Sequence, residues 1–221
     1  MQFINAATGQ NSVLVGDELE SCTQDVEAVT CPHPDGSGRN VIFVDTPGFD
    51  DTQITDYVVL QRIANWMKET YQEKTFLNGL LFFHRITDTR MRGTPLRNLT
   101  MFEALCGKDA LHNVVLTSTM WDEVFPDVGE TREAQLIQEF WKPLMGTTCR
   151  TARFDKSSKE SASDIVKLFD INPPRALLVQ KEMVDYQKDL QGTSAFKALA
   201  RWWSSAFKHL GQRIRFRRRN P

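Results

Sequence analysis

Four apolar residues stand together at Val41-Ile42-Phe43-Val44 and stop abruptly at Asp45. A short continuous run of this kind, mostly β-branched, predicts a strand buried on both faces, as in parallel sheets. Thr46-Pro47-Gly48 then predicts a turn, with Pro47 fixing φ and Gly48 letting the backbone come close to a ligand. Residues 25–31 read as a possible edge strand, and Pro32-His33-Pro34-Asp35-Gly36-Ser37-Gly38-Arg39 is a turn by composition. The two segments together predict an antiparallel hairpin. Ahead of them, residues 1–8 resemble the end of a helix that stops at Gly9, and residues 16–23 are loop-like.

Downstream the pattern alternates between two periods. Residues 54–71 place Val58, Val59, Ile63, Trp66, Met67 and Tyr71 at helical spacing, with Thr55 or Asp56 as cap. Residues 77–83 form a second apolar run ending at His84-Arg85. A helix is expected over 95–106, stopped by Gly107, and a third buried strand over 112–117. Helical spacing returns at 130–144, followed by a short strand at 149–154 and a helix at 160–169. This alternation predicts an α/β fold: a parallel sheet with helices on both faces. Asn172-Pro173-Pro174 marks a boundary, dividing residues 1–171 from a helical extension over 172–221. There, Phe196, Leu199, Trp203, Phe207, Leu210 and Ile214 repeat every three or four positions.

At 221 residues, 41% hydrophobic and 25% charged, the chain is expected to pack a core rather than remain disordered. Its net charge of −1 hides an asymmetry: seven Lys/Arg and no acid follow Ala200, so the remainder is distinctly acidic. A basic tail on an acidic body suits an anionic surface and argues against nucleic acid binding by the body. The tail helix therefore has two readings. Trp202, Trp203 and Phe207 lie in a membrane surface, or the apolar face docks on the domain or pairs with another copy. The four cysteines lack metal or redox spacing and read as reduced thiols. With no signal-like opening and no apolar span, a cytoplasmic or membrane-peripheral place is the expectation.

Three buried strands end at polar loops: Asp45-Thr46-Pro47-Gly48, His84-Arg85, and Thr117-Ser118-Thr119-Met120-Trp121-Asp122. In a parallel sheet such ends share one edge, where ligands bind. Asp45 either caps the next segment or, as in phosphate-transfer proteins, holds Mg²⁺ while the glycine N–H meets a γ-phosphate. Here the chain resembles the P-loop GTPases of the translation-factor-related class, with septin-like, immunity-associated and fungal G-domain proteins nearest. Residues 41–52 match the switch II box and residues 16–23 its switch I, which puts Thr23 at the position of the Mg²⁺-binding threonine. Thr119-Met120-Trp121-Asp122 fits the guanine-reading box with Met120 in place of lysine. Residues 154–162 fall where a weak final base-contacting loop belongs.

The resemblance implies a three-layer P-loop NTPase-like sheet binding GTP or GDP with Mg²⁺. Thr23 and Asp45 would stand at the metal, Thr46, Pro47 and Gly48 at the phosphates, and Thr119 and Asp122 at the base. No glutamine follows Gly48 to position water, so hydrolysis is expected to be slow or to need a homodimer partner across the nucleotide face. His84 and Arg85 either pack and face solvent or make contacts across such a dimer. The family's first, central strand and its G-x-x-x-x-G-K-[ST] loop are missing ahead of Gln2-Phe3-Ile4-Asn5. Such an absence leaves sheet edges unpaired inside the domain. An incomplete amino terminus and a nucleotide-free pseudo-GTPase scaffold both stay open.

Overall fold

The computed structural model describes residues 2–9, 25–49, 54–146, 149–156 and 158–204. Thr23 with the rest of the expected switch I stretch, Asp50 and Asp51, and everything beyond residue 204 lie outside the described residues.

The chain opens with helix α1 (Gln2–Thr8), which buries Phe3 and Ile4. The hairpin follows as expected. Strand β1 (Glu27–Pro32) pairs antiparallel with β2 (Asn40–Asp45), running from Glu27 opposite Asp45 to Pro32 opposite Asn40. Gly36 and Gly38 take φ of +73° and +78° in the connecting turn, where Ser37 N–H donates to the Asp35 carboxylate at 2.9 Å. The expectation that β2 is buried on both faces fails. β2 is half-buried, and Ile42 is 64% exposed. Its apolar run does call for cover on both sides, but among the described residues β2 pairs only with β1.

The second sheet is parallel, in the order β3 (Leu80–Arg85), β4 (Val114–Thr119), β5 (Arg150–Arg153). Helix α3 (Thr94–Cys106) joins the first pair, while α4 (Pro126–Gln135) and α5 (Lys142–Met145) lie between β4 and β5. Both β3 and β4 sit two or three residues later than their apolar runs suggest, because the polar ends continue the ladder and Arg85 still pairs with Thr119. Hydropathy sees the buried part of a strand; hydrogen bonding sets its length.

Alternating residues of β3 serve two cores. Leu80 and Phe82 face the larger one, with Val114 and Leu116 of β4 and the buried side of α2 (Asp56–Gln72). Leu81 faces the smaller one, built from Phe3, Phe154 and three residues of α6 (Lys159–Lys167): Ala162, Ile165 and Val166. Helices therefore cover both faces of an α/β sheet, as the alternation predicted. Between β2 and β3 the ladder is interrupted among the described residues.

The segment after Pro174 packs into the larger core through Leu177, Val179, Met183, Ala195 and Leu199. Instead of the long helix expected over 175–191, a single turn α7 (Leu178–Gln180) widens at Lys181–Asp185 and is capped by Tyr186, ahead of Gln187, whose φ is +51°. Buried Glu182 accounts for that ending: its carboxylate accepts from Ser194 N–H and Oγ, both at 2.8 Å, and stops one helix at the start of the next. The next helix, α8, covers residues 194–204, with Phe196 edge-on to Tyr57 of α2 and to Trp203. No helix among the described residues is long and apolar enough to cross a membrane.

Candidate functional site

The best-built polar cluster lies at the carboxyl end of β4. Thr119 closes the strand, accepts Ile86 N–H on its carbonyl at 2.9 Å, and donates its hydroxyl to the His84 carbonyl at 3.4 Å. Met120 then adopts φ +61°, ψ 39° and swings the chain into a tight turn at Trp121–Glu123. A side chain in this left-handed region costs about 1–3 kcal/mol, which surrounding contacts must offset. Those contacts are present. Trp121 Nε1–H donates to Ser118 Oγ at 3.0 Å, and the Arg153 guanidinium lies 4.1 Å over the indole ring. Arg153 in turn grips Glu133 of α4 through Nε, at 2.9 Å from Oε2, and through Nη2. Ser118 Oγ donates to the same carboxylate at 3.2 Å. Thus β4, α4 and β5 together fix the turn that presents Asp122.

Asp122 itself is exposed, and its carboxylate faces Lys156 Nζ at 2.9 Å. Hydrogen bonding to Asp122 pushes the Lys156 ammonium up against partial desolvation, and Glu123 at 3.5 Å adds to it. Lys156 belongs to the stretch 154–162, so that loop and the Thr119–Asp122 turn are neighbours. Phe154 N–H donates to the Ser118 carbonyl at 2.8 Å, which ties the two together at the backbone. Sequence reasoning placed the stretch but missed Lys156, Arg153 and Glu133. A lysine in the loop after β5 is a signal; the stacking of Arg153 on Trp121 left none.

At the end of β2 the loop is pinned from inside and open outside. Pro47 is buried and Phe49 packs on the larger core, whereas Thr46 and Gly48 are exposed. A Cβ built at Gly48 meets nothing within 4 Å, so the backbone there can be approached closely. Asp45 is half-buried and engaged in an interaction of its own. Asp45 offers the hard oxygen donor that Mg²⁺ prefers, which fits the metal expected at this loop. Thr23, the other expected ligand, lies outside the described residues. The structure thus brings Thr119 and Asp122 together with Lys156, and keeps Asp45, Thr46, Pro47 and Gly48 together on the separate β1–β2 sheet.

Two other polar groups belong to the framework. His84 is buried and stands edge-on to Trp141 at 6.4 Å, while its neighbour Arg85 is exposed and pairs with Asp88 at 3.3 Å. Burial holds the His84 imidazole below its ordinary value, with Asp88 opposing and Arg85 assisting. His33 lies 2.8 Å from Asp35 and 3.3 Å from Asp170, but Arg39 already bonds both carboxylates. That group reads as an ion-pair clasp between the hairpin turn and the segment after α6, not as a metal centre.

No family model and no curated protein matches the chain. Solved structures do. Toc33 from Arabidopsis thaliana in complex with GDP and Mg²⁺ superposes with a TM-score of 0.60 at 15% identity, over 80% of this chain and 81% of that one. The same protein with Mg²⁺ and GMPPNP gives 0.57 at 13% identity, over 76% and 78%. A third structure gives 0.60 at 14% identity, over 80% of each chain; it reports that dimerization is important for the GTPase activity of the chloroplast translocon components atToc33 and psToc159. At such low identity the likeness speaks for the fold, and on it the chain has a P-loop GTPase-like α/β fold.

Proposed function

We propose that this protein is a guanine-nucleotide-binding G domain, a molecular switch or assembly module that uses Mg²⁺ with GTP. The observation that carries the reading is the braced turn after β4. Met120 is held in a costly backbone conformation by the Trp121, Arg153 and Glu133 network, and the result presents one carboxylate, Asp122, at the sheet end. A carboxylate there accepts both the ring N–H and the exocyclic amine of guanine, which adenine cannot supply. Thr119 supports that loop. At the β2 end Asp45, with Thr23, would hold Mg²⁺, which neutralises phosphate charge when bound, and Thr46, Pro47 and Gly48 would shape the phosphate contact. The Toc33 structures carrying GDP or GMPPNP with Mg²⁺ on the same fold support this assignment. The report that dimerization matters for GTPase activity in such proteins supports slow hydrolysis that a second copy accelerates.

A scaffold that keeps the fold without nucleotide is the second reading. Met120 in the lysine position favours it. A fluorescent GTP analogue titrated into the full chain, with and without Mg²⁺ and against excess ATP, separates the two. Guanine-selective, Mg²⁺-dependent binding that is lost in Asp122→Ala establishes the first. Absence of binding, or binding indifferent to base and metal, leaves the scaffold.

A further inference from the structure

The Thr119–Asp122 turn is a rigid frame with one movable part. The hydrogen-bonding side chains that brace it are engaged inside the frame. Thr119 donates its hydroxyl to the His84 carbonyl, Trp121 Nε1–H donates to Ser118 Oγ, and Ser118 and Arg153 both hold the Glu133 carboxylate. Packing closes it further, because a Cβ on Gly129 of α4 would fall 2.7 Å from the Trp121 ring. Lys156 comes from a loop whose backbone is tied down on either side of it. Phe154 N–H donates to the Ser118 carbonyl at 2.8 Å, and Ser158 N–H to the Asp155 carbonyl at 3.1 Å. The four-carbon stem of a lysine lets its ammonium move while such a backbone stays in place.

That ammonium stands between two adjacent acids. Its Nζ is 2.9 Å from Asp122 Oδ2 and 3.5 Å from Glu123 Oε1. The first distance is a full hydrogen bond and the second is too long for a good one, so the cation is seated on Asp122 within a short swing of Glu123. The side chains are 36% exposed at Lys156, 53% at Asp122 and 50% at Glu123, open enough for the pair to be weak and exchangeable. Guanine needs what the lysine holds. Its ring N–H and exocyclic amine each take one carboxylate oxygen, at the N···O distance the ammonium already occupies on Oδ2.

We propose that Lys156 is a latch on the base-reading carboxylate: in the free protein its ammonium occupies Asp122, and a guanine base displaces it onto Glu123. The inference rests on the reading of Asp122 as the guanine acceptor. The exchange balances for guanine and not for adenine. With guanine, two N–H donors replace one ammonium on Asp122, and the ammonium keeps a carboxylate. Adenine has an amine but no ring N–H beside it, so one carboxylate oxygen would be left bare and the latch stays shut. Glu123, directly after Asp122, serves as the second seat. With no nucleotide bound, the same cation offsets the repulsion between these two neighbouring acids.

The test uses the full chain, a fluorescent GTP analogue with Mg²⁺ and ATP as competitor, at about 0.05 M and about 0.5 M salt. The guanine-over-adenine affinity ratio is read, since a change of charge near the triphosphate weighs equally on both nucleotides and cancels. Lys156→Met removes the latch and is expected to raise the ratio about twofold to fivefold at low salt, the range of an exposed ion pair. The rise should shrink at high salt, where the wild-type pair is itself screened. Glu123→Gln removes the second seat and is expected to lower the ratio. If Lys156→Met loses the exchange protection of the β4 and β5 amides, Lys156→Gln replaces it under the same expectation. A ratio that falls or stays unchanged without the lysine overturns the latch, and one that Glu123→Gln fails to lower overturns the transfer. Wild-type protein that does not select guanine refutes the nucleotide reading and the latch with it. Selection of guanine, with no rise on removing the lysine, refutes the latch alone.

Discussion

His84 shows how one buried side chain sets a pH response. Burial disfavours its protonated form, so the folded-state value lies below the ordinary 6.5 while the unfolded chain keeps that value. Between the two, the unfolded chain binds more protons, and stability falls as pH drops through that window. Denaturant unfolding at pH 7.5 and 5.5 should show this loss, and His84→Phe, which keeps a ring beside Trp141, should show a smaller one. An equal loss in both proteins refutes the assignment. Glu182 acts lower on the scale. Burial pushes its carboxyl up, but Ser194 N–H, Lys188 at 2.9 Å and Ser194 Oγ together outweigh that and hold it down. Its contribution is present above about 4.5, the ordinary value, and is lost as pH falls through the lowered one.

At the scale of elements, the approach of β3 to the segment after α6 depends on a missing side chain. A Cβ on Gly79 would fall 1.9 Å from Phe169 Cδ1. Gly79→Ala is therefore expected to lower unfolding free energy by about 1–3 kcal/mol, the usual cost of overpacking. Adding Phe169→Leu should recover part of it; if Gly79→Ala alone is neutral, Phe169 is free to move aside. Helix starts are set locally: Val58 N–H donates to Thr55 Oγ1 at 3.4 Å, and Ser161 N–H to Ser158 Oγ at 3.0 Å. Such caps contribute about 1 kcal/mol each. Gly107 ends α3 with φ +69° and brings the chain against Leu178, so one residue both stops a helix and docks α7.

For the whole molecule, the question is whether residues 178–204 fold with the sheet or beside it. Leu199 is fully buried in the larger core, and Gln180, equally buried, accepts Leu177 N–H at 2.8 Å and donates to the Met67 carbonyl of α2 at 3.0 Å. Leu199→Ala is expected to cost about 2–5 kcal/mol. It should shift a single cooperative transition, read by tryptophan fluorescence and far-ultraviolet circular dichroism together. Two separated transitions would show that the extension is an independent unit.

The sequence alone settled what depends on neighbours along the chain. The hairpin over Glu27–Asp45 was legible because a Gly-rich turn joins two β segments, and α2 because its apolar residues recur at helical spacing above a threonine cap. The Thr119–Asp122 motif was legible as four adjacent residues. Only the fold could decide what joins distant positions. The chain does not spell out that Arg153 stacks on Trp121 or that Lys156 meets Asp122, because each pair comes from separate loops brought side by side by the β4–β5 ladder. Hydropathy stated that β2 is covered on both faces; the tertiary structure decided that it is half-buried and, among the described residues, paired with β1, since burial and pairing depend on what lies alongside and not on the strand's own residues.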